Sequence, residues 1–302
     1  MIATIARHQI LSLRRQRTFL WLLATFLVMT ALAGVLGWSS HRTIVGVYDE
    51  SVKLLATQGL PAPENPFRLK PTLSLLSNMV VYIPLIGALL AIVLGHISLA
   101  DDETDGIGRL VFSRRINRTT YIVGKAVGAA VVLFSILAVS LAVSTLALVI
   151  VNRALPSFGE FGRLAGFYGL SLLYLMVFAF VGMATVLLTH RRSLALLTAT
   201  GVWLVITFAV PQVTSGLRPT QSLNPITDPV STSQAFFRAT SKARPYSVVE
   251  QYKQISGQVL ETSTVKGSLT GLLSIAALGL LLAIAIVLLV QRHDYSTGTS
   301  SD

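Results

Sequence analysis

The chain contains no cysteine in 302 residues, and only 12% of it is charged. Without cysteine there is no disulfide framework, no thiolate metal site and no thiol nucleophile. So little charge excludes an ordinary soluble domain, in which Asp, Glu, Lys and Arg make up about 25% of residues. Acids are the scarcer sign, 13 against 24 Lys and Arg, leaving a net charge of +11. No recognised nucleic-acid-binding motif accompanies that excess, so nucleic acid is not an expected partner. In a membrane protein such an excess marks cytoplasmic flanks and anionic headgroups instead. What the chain does have is apolar surface: 53% of residues are hydrophobic and the mean hydropathy is +0.69.

A helix crosses about 30 Å of hydrocarbon with about 20 apolar residues, because every backbone amide must be satisfied within the helix. Six stretches meet that requirement: 18–38, 79–100, 123–151, 164–188, 194–211 and 269–290. "ALA" at Ala31 to Ala33 resembles a signal-peptidase site, but the apolar run continues to Trp38, as a full span does. An even number of spans puts both termini on one side. Taking that side as cytoplasmic, half of the 24 Lys and Arg residues fall in inside segments about half as long as the outside ones. The short flanks "LRRQR" and "HRR" weigh most in the positive-inside rule and point the same way. The expected architecture is an all-α membrane protein with cytoplasmic termini, a single domain over 1–302, outside segments 39–78 and 212–268, and an inside segment 101–122.

Catalytic signatures are missing. No expected span has Asp, Glu, Lys or Arg near its centre, the usual mark of an ion or proton pathway. The His-Glu-x-x-His ligand set of an intramembrane metalloprotease is absent, and His8, His41, His96, His190 and His293 scatter near span ends. The only Gly-Lys pair, Gly124-Lys125, is followed by Ala126 and preceded by Thr119 where a phosphate-cradling loop needs Gly. The chain is therefore not expected to hydrolyse ATP, and no cofactor or metal is expected on it.

Other features are mechanical. Gly124 and Gly128 form a small-x-x-x-small pair that admits a close helix neighbour. Pro84 removes a backbone hydrogen bond inside the second span and is a candidate hinge. In the outside segments Ile44, Tyr48, Val52 and Leu55 recur at helical spacing, as do Val248, Tyr252, Ile255 and Val259. Two amphipathic helices are expected there, either packing their stripes together as a small cap or offering a docking surface to a substrate or an extracytoplasmic partner protein.

The inside segment holds the one dense block of charge, "LADDETDGIGRLVFSRRINRTTYIVGK", with four acids followed by five bases. A helix starting near Asp105 has carboxylates at its positive end and guanidinium groups toward its negative end. Ile107, Leu110 and Val111 supply an apolar stripe, and Arg114 and Arg118 stand one turn apart. Such a helix either rests on anionic lipid or inserts into a cleft on a cytoplasmic protein.

The order of acidic cluster, Gly106, Leu110, Ser113, Arg118 and Gly124-Lys125 resembles the pattern E-x-E-x-G-T-L…S-x-P-x-x-R…G-K that follows the second span of ABC-2-type permeases, the type V exporter-like membrane subunits of ATP-binding-cassette transporters. It is particularly similar to the branch containing the permease of the nitrous-oxide reductase maturation system. "IARHQILSLRRQR", with Arg7, Arg14, Arg15 and Arg17, resembles the interfacial elbow helix of that family over residues 1–17. Ile107 stands where the family has Thr, Gly108 where it has Leu, Arg115 where it has Pro, and Gln9 where its elbow has Glu.

The resemblance implies a homodimer paired with two separate ATPase subunits that carry ATP and Mg. It assigns ATPase coupling to Asp101, Asp102, Glu103, Asp105, Gly106, Ile107, Leu110, Val111, Ser113, Arg114, Arg115, Arg118 and Lys125, with Arg191 and Arg192 in a second, smaller contact. It also implies that the second and fifth spans face the partner copy. A path without charge suits export of a lipid, peptide or natural product, or no cargo at all and the transmission of force to an extracytoplasmic partner. The competing reading is a non-transporting membrane scaffold or immunity protein. The expected location is the cell membrane of a prokaryote.

Overall fold

Among the described residues all regular elements are helices, as expected where hydrocarbon offers backbone amides no partner but the helix itself. The structure is a computed structural model that describes residues 2–13, 16–61, 71–104, 117–189, 191–218, 221, 224, 235–262 and 269–292. Among the described residues an N-terminal helix, Ile2–Leu13, precedes six helices long and apolar enough to cross a bilayer. These spans are Arg17–Thr57, Met79–Asp101, Arg118–Asn152, Phe158–Leu188, Arg192–Ser215 and Leu269–Arg292.

The first span departs most from its expected length. It is one unbroken helix of 41 residues, about 60 Å long at ~1.5 Å per residue, twice the hydrocarbon thickness. The amphipathic stretch expected after it is therefore not a separate element but the helix's own extension. Its stripe of Ile44, Tyr48, Val52 and Leu55 is half-buried while neighbouring Val47 and Leu54 are exposed. Asn117 caps the start of the third span, its side chain accepting from the Thr119 amide. Ser157 and Glu160 form a reciprocal capping box at the start of the fourth.

The spans divide into core and shell. The apolar window of the fourth span is 78% buried and that of the second 67%, against 22–33% for the other four. Glycine lets the two core helices approach. A Cβ on Gly95 would collide with the Ala179 carbonyl, and a Cβ on Gly182 with the Ile92 carbonyl, so backbone meets backbone at this crossing. The shell helices turn Phe134, Ile150, Leu280 and Leu281 outward, as bilayer-facing surfaces do.

The second expected amphipathic helix forms over Val248–Val259, and its main packing is against the spans of the bundle rather than against the first stretch. It inserts into the open end of the bundle, touching the second, fourth, fifth and sixth spans. The Tyr252 ring lies 4.5 Å from that of Tyr174, midway along Phe158–Leu188, and its hydroxyl is 2.9 Å from Ser171 Oγ. Val248 and Tyr252 of the expected stripe are buried, Ile255 and Val259 only half-buried, while Glu250, Gln251, Lys253 and Ser256 are buried as well. The reason is position: the helix is enclosed by the bundle, and its buried Glu250, Gln251 and Lys253 find partners on neighbouring elements.

Candidate functional site

The end of the bundle that carries Asp101 gathers several of the residues singled out from sequence. Asp101 closes the second span with its side chain only 12% exposed. One carboxylate oxygen accepts from Arg192 Nη2 at 2.6 Å. The other accepts from Gln16 Nε2 at 2.8 Å and from Ser12 Oγ at 3.4 Å. Arg192 opens the fifth span, Gln16 precedes the first, and Ser12 sits in the last turn of the N-terminal helix. A single carboxylate thus joins four elements.

Arg118 and Lys125 are also engaged within the chain. Arg118 Nη1 donates to the carbonyls of Gln291 at 2.9 Å and Val290 at 3.3 Å. Both carbonyls lie near the C-terminal end of the described sixth span, toward which the helix dipole favours a cation. Lys125 is buried, its Nζ 5.6 Å from the centre of the Tyr121 ring. Arg191 is exposed at the head of the fifth span, and Arg7 and Arg17 are exposed on the N-terminal helix and the first span. Asp105, Gly106, Ile107, Leu110, Val111, Ser113, Arg114 and Arg115 lie outside the described residues, as do Arg14, Arg15 and the side chains of Asp102 and Glu103.

The Gly124–Gly128 pair receives the N-terminal helix. Ile5 packs 3.0 Å from where a Cβ on Gly124 would stand, and Ala6 and Gln9 fill the space over Gly128. Gln9 is buried there, and among the described residues neither polar atom of its amide has a partner.

Near the end of the second span remote from Asp101, Pro84 lies in a π-helical turn, Ile83–Gly87. The wider turn accommodates a ring that cannot donate a hydrogen bond and would crowd an α-helix. The fifth span carries its own π turn at Val205–Ala209. Trp203, two residues before it, donates from Nε1 to the Pro84 carbonyl at 3.0 Å. The two irregular turns are thereby tied to each other.

At the far end Glu250, 3% exposed, accepts from Thr214 at 2.8 Å, Ser215 at 2.6 Å and Arg244 Nε at 2.6 Å. The top of the fifth span is so bound to the inserted helix. Sequence reasoning missed this cluster, because "YSVVEQYKQIS" reads as a solvated amphipathic helix and nothing local marks Glu250 as enclosed.

The sequence model of the ABC-2 family transporter proteins matches residues 3–292, nearly the entire chain. The chain belongs to that family. No curated protein matches it. The protein is a multi-pass membrane permease of the ABC-transporter class, and its partner class is the ABC ATPase subunit. In this ABC-2 permease, Asp101 and Arg192 meet in one ion pair although 91 residues separate them. Pro84 meets the fifth span, whereas Arg118 meets the sixth.

Proposed function

We propose that the chain is one half of a homodimeric permease whose Asp101 end faces the cytosol and docks two ATPase subunits. Docking runs through the segment 101–122, with Arg191 and the loop around it as a smaller contact. ATP and Mg are held by those subunits. The observation that supports this reading is the Asp101 network, which joins the base of the second span to the fifth span and the N-terminal helix. A displacement of the segment that follows Asp101 then moves these elements as a unit. Asp101, Arg118, Lys125 and Arg192 act as positioning residues, and the contact with the ATPase falls to Asp102, Glu103 and the stretch from Asp105 to Arg115.

The Trp203–Pro84 bond carries the motion into the outer half of the bundle, where the π turns act as hinges, and the Glu250 cluster carries it to the outer end. The spans lack central charge, which suits an exported lipid, hydrophobic peptide or amphipathic natural product. A second reading, force transmission to an extracytoplasmic partner, is favoured by the first span, whose 41-residue helix extends about 30 Å beyond the bilayer as a rigid rod. On the motif around Gly106 and Ser113, we place the chain beside the branch of the nitrous-oxide reductase maturation permease.

Reversal of Arg114 and Arg115 to Glu tests the docking. Arg118 is spared because it is bound to the Val290 and Gln291 carbonyls of the sixth span. Loss of the co-purifying ATPase with membrane insertion retained is the expected result; an undiminished complex overturns the assignment.

A further inference from the structure

A groove of about 250 Å³ lies where the N-terminal helix turns into the first span. Ile10 and Leu13 of the former, Phe19, Leu20 and Leu23 of the latter, and Val131, Val132, Ser135 and Ile136 of the third span line it; among the described residues Ser135 is the one polar side chain. The three helices run in the same direction: Ile5 packs on Gly124 and Gln9 on Gly128, while further along Gly34 meets Ala147. Arg7 stands one turn before Ile10 and Arg17 one turn before Leu20, both exposed. Each guanidinium therefore belongs to the same end of the groove, and helical side chains lean further toward that end. Among the described residues neither forms an ion pair.

We propose that this groove binds one anionic phospholipid of the cytoplasmic leaflet, an acyl chain lying along the apolar walls and the phosphate between Arg7 and Arg17. The charge favours an anion, because cations at a cytoplasmic membrane surface attract acidic headgroups. A lipid held here braces the N-terminal helix against the third span beside the Asp101 network. The leaflet rests on the orientation proposed above; the binding itself does not.

The test uses the full chain in nanodiscs of equimolar phosphatidylglycerol and phosphatidylcholine, with retained lipid counted by native mass spectrometry. The wild-type chain is expected to keep phosphatidylglycerol over phosphatidylcholine by about fivefold or more, the preference of a single guanidinium at an anionic surface. Arg7→Ala with Arg17→Ala should bring that ratio close to one. Ser135→Phe, which fills the groove, should lose both lipids while circular dichroism and oligomeric state stay as in the wild type. Equal retention of the two lipids by the wild-type chain overturns the proposal. So does a Ser135→Phe chain that keeps its phosphatidylglycerol, or one that changes only its oligomeric state and thereby gives the groove to a second copy. No readout involves the ATPase, so failure here leaves the coupling reading standing.

Discussion

Removing the Asp101 carboxylate should loosen four elements at once, and the cost can be worked from its contacts. The Gln16 bond at 2.8 Å is short and the Ser12 bond at 3.4 Å is marginal. A hydrogen bond to a charged group contributes about 1.5–3 kcal/mol when shielded. The Arg192 pair at 2.6 Å has good geometry, but its guanidinium side chain is 42% exposed, so solvent screening reduces it to about 1 kcal/mol. Asp101→Ala should therefore cost about 2–3 kcal/mol. In a chain of this size that lowers the melting temperature by about 3–5 °C. A double-mutant cycle with Arg192→Ala, read by thermal melting of the purified protein, should return a coupling of about 1 kcal/mol between the two residues. Asp101→Ala should also leave ATPase docking intact while reducing stimulation of its hydrolysis, as a positioning residue requires. If Arg192→Ala costs as much without the carboxylate as with it, and Asp101→Ala melts like the wild type, Asp101 does not tie the elements together.

The two packed ends and the hinge carry further expectations. Gly128→Leu places a side chain into Gln9 and Ala6; overpacking of about 1–3 kcal/mol should release the N-terminal helix, detected as faster proteolysis before residue 16. Trp203→Phe keeps one aromatic ring but removes the bond to Pro84 and the volume of the second ring; a loss of about 2–3 kcal/mol with a larger loss of stimulated ATPase activity is expected, whereas unchanged activity would separate the π turns from the working cycle. Glu250→Gln leaves Arg244, whose side chain is 20% exposed, without its counter-charge; a cost of about 2–4 kcal/mol should appear in the melt, and Arg244→Met in the same chain should recover part of it.

The bilayer made much of this fold legible. Hydropathy located the fourth span at 164–188, and the helix runs Phe158–Leu188; it located the fifth at 194–211, and the helix runs Arg192–Ser215. Such agreement follows because hydrocarbon imposes one requirement, an apolar self-bonded helix, that can be read residue by residue. The Gly124–Gly128 spacing announced a close neighbour without naming it, since any helix with small or slender side chains fits, and the N-terminal helix is the one that does.

Pairings across the chain were not legible. Ser12, Gln16 and Arg192 find Asp101 across 85 to 91 residues, and nothing in their local sequence selects that partner over the other acids of the "DDETD" run. The same holds for Trp203 and Pro84, 119 residues apart. The helix Val248–Val259 misled for a different reason. Its polar residues suggest a solvated face, yet burial of a carboxylate depends on donors from elsewhere, here Thr214, Ser215 and Arg244.

Because the chain has no cysteine, one introduced thiol gives an unambiguous address. Asn117, exposed at the start of the third span, is replaced by cysteine in intact cells that also make the cognate ATPase, and a membrane-impermeant maleimide is applied before and after permeabilisation. The account predicts no modification until the cells are opened, and then protection that disappears when the ATPase is absent. Modification from outside intact cells would put the acid-then-base segment on the wrong face of the membrane and contradict coupling to a cytosolic motor.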